Sequence, residues 1–225
     1  FSWARILPLA RPGYVMAYAW ADMMGVAGPI QSHIRDITGL SARDYWFPNL
    51  FSAPGLAFVL ASTLFPYVYI TARAAFSMQS LSTLEAARSL GAQPLELFWR
   101  VALPVALPTI AGGLCLALME AAADYGAADF LGIQTLGVGI IRSWQSFGEP
   151  NTAARLALTL ILIAGCFLIA ARVFQGRRGT QETSVRWRTP TRSKLPPGMA
   201  AAVTALCSLI LIVCFLAPIA RLLWL

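Results

Sequence analysis

The chain has 225 residues, of which 58% are hydrophobic and only 12% charged, and its mean hydropathy is +0.66. A water-soluble domain of this size carries about 25% charged residues, so the composition excludes an ordinary soluble fold and points to an integral membrane protein. Seventeen Lys and Arg against ten Asp and Glu leave a net charge of +7, and the placement of those charges accounts for the excess without nucleic acid as a partner.

Apolar windows near ~20 residues, the length of a helix that crosses a bilayer, fall at 12–30, 53–75, 105–124, 153–174 and 199–221. The first is interrupted by Asp22 and three glycines. The sequence opens on Phe1 rather than Met, with no charged leader and cleavage site, and stops in the apolar run "RLLWL". The expectation is an internal piece of a longer polytopic chain. His33, the single histidine, falls with Ile34 and Arg35 in the loop that follows and reads as a surface residue. Pro66 lies inside the second span and Pro108 near the start of the third, which neighbouring helices tolerate in membranes. Ala111, Gly112, Gly113 and Ala117 suit close helix contact there. Cys115, Cys166, Cys207 and Cys214 all sit in apolar runs and none forms a C-x-x-C pair, so they read as packing residues and not as metal or disulfide positions. The expected fold is an all-α polytopic helix bundle.

Lys and Arg gather on the cytoplasmic side of membrane proteins. Numbering the loops alternately puts twelve of the seventeen on one side: Arg5, Arg11, Arg73, Arg88, Arg100, Arg172, Arg177, Arg178, Arg186, Arg188, Arg192 and Lys194. That side is taken as cytoplasmic. Residues 175–198, "QGRRGTQETSVRWRTPTRSKLPPG", are polar, basic and aperiodic, a cytoplasmic linker beside anionic lipid. A new apolar span opens at Met199.

Between the second and third spans, on the same side, runs "EAARSLGAQPLELFWRVALPVALP" from Glu85 to Pro108. Ser82 to Glu85 has the capping-box pattern of a helix start. Gly91 is placed to cap that helix, and Pro94 to begin a second. Leu84, Ala87, Leu90, Leu95, Phe98 and Trp99 are expected to pack inward, with Arg88, Glu96 and Arg100 in water. On these grounds alone the segment is a cytoplasmic helical hairpin. Its spacing says more. Glu85-Ala86-Ala87, three residues, Gly91, nine residues, Val101, one residue, Leu103-Pro104 resembles the EAA loop of bacterial ABC importer permeases, with Val101 in place of Ile as the one departure.

The resemblance continues in "LPLARPGYVMAYAWADM", "YWFPNLFSAPGLAFVLASTLFPYVYITARAAF" and "LMEAAADYGAADFLGIQTLGVGIIRSW", which look like the two-half permeases of ferric iron importers. It implies an ABC type-1 transmembrane domain in the bacterial inner membrane. Residues 1–174 would be the first permease half, with its EAA loop at 80–104. Residues 175–198 would be the linker, and 199–225 the truncated first helix of a second half. It also implies that Glu85, Ala86, Ala87, Gly91, Leu103 and Pro104 form the docking site of a separate cytoplasmic ABC ATP-binding subunit. A periplasmic substrate-binding protein would deliver the cargo, ferric iron, with thiamine or another small solute as the alternative. ATP would sit on the partner, with no cofactor and no metal held by this chain.

Glu120, Asp124, Tyr125 and Asp129 lie at the outer end of the third span. Acidic residues in or beside a span suggest a pathway or a buried partner, and carboxylate and phenolic oxygens suit a hard cation. Glu120 and Asp124, four apart, are expected on one helix face. The competing reading has Asp124 and Asp129 in external water or capping a short re-entrant helix at 127–146. Asp22 is a weaker pathway candidate. A membrane-embedded enzyme finds no support, because neither H-E-x-x-H nor G-x-S-x-G occurs. A passive channel would leave the loop spacing unexplained. The only lysine, Lys194, lacks the glycines of a P-loop, so the chain cannot itself be the ATPase.

Overall fold

The computed structural model describes residues 11–79, 89, 91, 93–176 and 197–224. The capping box at 82–85, with Glu85, Ala86 and Ala87, and most of the linker expected at 175–198 lie outside the described residues. In chain order the helices are α1 (Gly13–Met24), α2 (Pro29–Thr38), α3 (Ala53–Ser77) and α4 (Pro94–Leu97). From α4 the chain runs through a π turn (Phe98–Ala102) into α5 (Leu103–Ala123). Then follow α6 (Gly126–Phe130), α7 (Leu136–Gln145), α8 (Pro150–Gly176) and α9 (Pro197–Leu211), which continues through a second π turn (Ile212–Leu216) into α10 (Ala217–Trp224). No strand occurs among the described residues.

Among the described residues, four segments are long and apolar enough to cross a bilayer: Ala53–Ser77, Leu95–Ala123, Pro150–Gln175 and Pro197–Trp224. At 1.5 Å per residue, the shortest extends about 38 Å, beyond the ~30 Å of a hydrocarbon core. The protein is an all-α membrane helix bundle.

The span expected at 12–30 is not one helix. α1 has 12 residues, about 18 Å, and ends where Gly25 leaves the helical region at ψ 158°. Gly28 closes the break by donating its N–H to the Gly25 carbonyl at 2.8 Å. A Cβ on Gly28 would lie 2.6 Å from the Met23 oxygen and would also strike that of Asp22, so the chain needs glycine to fold back so closely. The amphipathic α2 then begins at Pro29 and ends on a left-handed Gly39.

α3 starts at Ser52, whose hydroxyl accepts from the Gly55 N–H at 3.3 Å, a side-chain N-cap. Pro66 interrupts its backbone ladder, as membrane helices allow when neighbours cover the site, and Pro66 is fully buried. α5 lies between α3 and α8. Its Gly112-Gly113 pair lets both neighbours come close. A Cβ on Gly113 would be 2.8 Å from the Thr71 Cβ and would strike the hydroxyl, and one on Gly112 would strike the Gln175 amide. Small residues perform this function generally in membrane bundles.

The packed core sits at one end of the bundle, where α1, the start of α3 and the α6–α7 hairpin meet around Met16, Trp20, Leu56, Val59, Leu131 and Val138. Elsewhere the helices show their apolar side chains outward. Leu158, Ile161, Leu162 and Ile169 on α8, and Leu206 and Leu209 on α9, are exposed. In a bilayer that surface costs nothing, because lipid replaces water around it. Asp22, which seemed to interrupt the first span, forms an ion pair with Arg221 of α10. Arg11, assigned above to an inner loop, lies with its guanidinium 5.0 Å from the Phe215 ring centre and so belongs to the bundle.

Candidate functional site

Within the segment expected to form the inner loop, Gly91 is among the described residues. This residue has φ 86° with nothing within 4 Å of a Cβ added there, the left-handed conformation that favours glycine. Pro94 opens α4, as expected of a proline at the first turn. On the wet side Arg100 pairs with Glu96 at 2.8 Å, four residues back.

The inward face differs from expectation. Leu95 and Trp99 are 70% and 59% exposed, whereas Leu97 is buried. The reason lies in the backbone: α4 lasts one turn before the π turn, where the Leu103 N–H reaches back five residues to the Phe98 carbonyl. The wider turn shifts the phase of every side chain around it. Pro104 has no N–H to give to the preceding turn, and with Leu103 it leads directly into α5. Two contacts then join this turn to the end of α3. The Phe76 and Phe98 rings stack with centroids 6.0 Å apart, and the Gln79 side-chain amide donates to the Ala102 carbonyl. Gln79 lies just past a span among Ser77, Ser80 and Ser82, and nothing in that polar run singles it out.

At the opposite end, called outer after the Lys and Arg distribution, α5 stops at Ala123 and Asp124 turns extended at ψ 125°. Asp124 is thus the residue that ends the helix, four positions after Glu120. The helix ends because Asp124 serves the next one: its Oδ1 accepts from the Ala127 N–H at 2.9 Å and from the Ala128 N–H at 3.3 Å. Asp129 lies between two donors, the Arg142 guanidinium at 2.9 Å and the Tyr125 hydroxyl at 3.1 Å. The bond to Asp129 raises the Tyr125 pKa above the ordinary tyrosine value, helped by some desolvation and opposed by Arg142. Arg142, thirteen residues from its partner, had no short-range signal in the sequence. Glu120 is exposed and has no hydrogen bond or ion pair among the described residues.

Beside this region a cavity of about 430 Å³ opens between the end of α1 and the loop before α3, lined by Gly25, Gln31, Tyr45, Trp46 and Phe51 and by no charged side chain. Gln31 is satisfied there, donating to the Met24 carbonyl at 2.8 Å and accepting from the Tyr45 hydroxyl at 2.9 Å. Among the described residues, no three His, Cys, Asp or Glu side chains converge as a metal site.

A bundle of helices this long and apolar is the build of a multi-pass membrane protein. Residues 6–222 match the family described as binding-protein-dependent transport system inner membrane component, and the chain belongs to that family. It is 29% identical over 219 residues to a probable ABC transporter permease, y4fN, of Sinorhizobium fredii, covering 95% of this chain and 37% of that protein. It is 28% identical over 164 residues to the molybdenum transport system permease ModB of Haemophilus influenzae, covering 70% of this chain and 69% of that one. The spermidine/putrescine permease PotB of the same organism is 30% identical over 169 residues, covering 70% of this chain and 57% of its own length. The chain thus spans just over a third of the first of these relatives.

Proposed function

We propose that the chain is the membrane-spanning permease part of an ATP-driven importer in the bacterial inner membrane. A separate cytoplasmic subunit binds and hydrolyses ATP and docks on the 80–104 loop at Glu85, Ala86, Ala87 and Gly91. A periplasmic binding protein presents the solute at the outer end. This chain performs no hydrolysis and carries no cofactor.

The observation that supports this reading most is the continuity after Gly91. From Leu95 the helix runs to Ala123 without a loop, so a partner gripping the residues before the glycine hinge acts on a membrane span directly. A passive pore has no use for such a lever.

Ferric iron is the cargo that the two-half resemblance suggests. Relatives named for molybdenum, spermidine and putrescine, and 2-aminoethylphosphonate extend the choice to other small polar solutes, thiamine among the alternatives. Asp124 caps a helix and Asp129 is paired with Arg142. Direct contact between a carboxylate and a hard cation therefore falls to Glu120, with the Tyr125 oxygen nearby in sequence.

The test is co-expression of the whole chain with its cognate ATP-binding subunit. Co-purification is expected for the native chain and loss of it for Glu85→Arg. Equal recovery of the ATP-binding subunit with both would overturn the docking assignment.

A further inference from the structure

We infer that Gln79 is a positioning residue that makes α3 move with the inner loop, an inference that rests on the docking reading above. α5 needs no such link, because it continues from α4 through the π turn without a break. α3 is different. It ends at Ser77, and the described structure joins its last turn to the loop's second helix by two contacts, both on the π turn: the Phe76–Phe98 ring stack and the Gln79–Ala102 hydrogen bond.

The chemistry of the second contact is directional. A backbone carbonyl accepts and a primary amide donates, so the bond fixes the height of the π turn against the end of α3. A π turn holds its ladder one residue out of α-helical step and is a place where a helix can change register. Ala102 is the last residue of that turn, where a register change would be felt first. Higher in the bundle, Thr71 seats against Gly113 and holds α3 and α5 together at their crossing. Gln79 does the same at their inner ends. Ring stacking alone tolerates sliding; a hydrogen bond to one carbonyl does not.

The experiment uses the whole complex with its ATP-binding subunit in proteoliposomes, free of native cysteines, with nitroxide labels on Ser77→Cys and Val105→Cys. Both positions are exposed. Pulsed-EPR distances are read without nucleotide and with ATP plus vanadate. With Gln79 present, the distance is expected to stay constant between the two states. Gln79→Leu, and the same-sized Gln79→Glu, which cannot donate as a carboxylate, are expected to let it shift by about 2 Å, the scale of helix displacements in switching proteins. Gln79→Lys restores a donor and is expected to restore the constant distance. ATP hydrolysis and co-purification are retained in all variants, which separates positioning from folding. A constant distance in both Gln79→Leu and Gln79→Glu overturns the inference. Failure of the native chain to hold the ATP-binding subunit overturns the docking reading instead.

Discussion

The Asp22 carboxylate and the Arg221 guanidinium form an ion pair that ties α1 to α10, a sequence separation of 199 residues. The Arg221 guanidinium also lies 5.2 Å from the centre of the Trp224 ring. The two charged side chains are 27% and 21% exposed, so the pair falls between a surface bridge and a buried one. Losing either partner leaves a charge at the bundle without its counter-charge, at a cost of about 1–3 kcal/mol. We expect Asp22→Ala and Arg221→Ala each to lower the detergent-solubilised melting temperature. The exchange Asp22→Arg with Arg221→Asp should recover most of the loss, and simple addition of the two losses in the exchanged protein would show that the pair is not what joins the helices.

At Gly91 the constraint is the backbone and not the space around it. A β-branched residue at φ 86° is strained by about 1–2 kcal/mol, whereas Asn visits this region with little penalty. Gly91→Val is therefore expected to insert normally yet lose transport-coupled ATP hydrolysis, and Gly91→Asn to keep most of it. Full coupling in the valine variant would remove the glycine turn from the mechanism.

Gly113 poses the opposite problem, since its φ is ordinary and its surroundings are full. Even a methyl group meets Thr71, and overpacking of this kind costs about 1–3 kcal/mol. Gly113→Ala should destabilise the α3–α5 pair in thermal unfolding, and Gly113→Val more so. Thr71→Ala in the same chain should restore part of the loss by removing the hydroxyl and methyl groups that the new side chain strikes. No relief from the second change would place the closest approach elsewhere on α5.

Much of this architecture was legible because a bilayer imposes one length on every crossing. The windows at 53–75, 105–124, 153–174 and 199–221 match the four long helices to within a few residues at most ends, apart from the inner end of the third, which runs back to Leu95. The first window failed because hydropathy does not register that Gly25 and Gly28 let the chain double back. Gly91 and Pro94 followed from local rules of helix ends. Leu95 and Trp99 did not, since an α-helical wheel cannot anticipate a π turn. The two outer aspartates differ: Asp124 caps α6 through local contacts three and four residues on, as the capping alternative had it, whereas Asp129 meets an arginine from another helix, a tertiary contact with no local signal.

A docking loop for a cytosolic ATPase must face the cytosol, so sidedness decides the proposed function. With Cys115, Cys166, Cys207 and Cys214 replaced by Ala or Ser, single cysteines are placed at Arg88 and at Ser41, the latter in the exposed loop after α2. The measurement is labelling by a membrane-impermeant thiol reagent in cells whose inner membrane is intact and accessible from outside. Ser41→Cys is expected to react, and Arg88→Cys only after the membrane is opened. Labelling of Arg88→Cys in intact cells would invert the topology and contradict a cytoplasmic docking site.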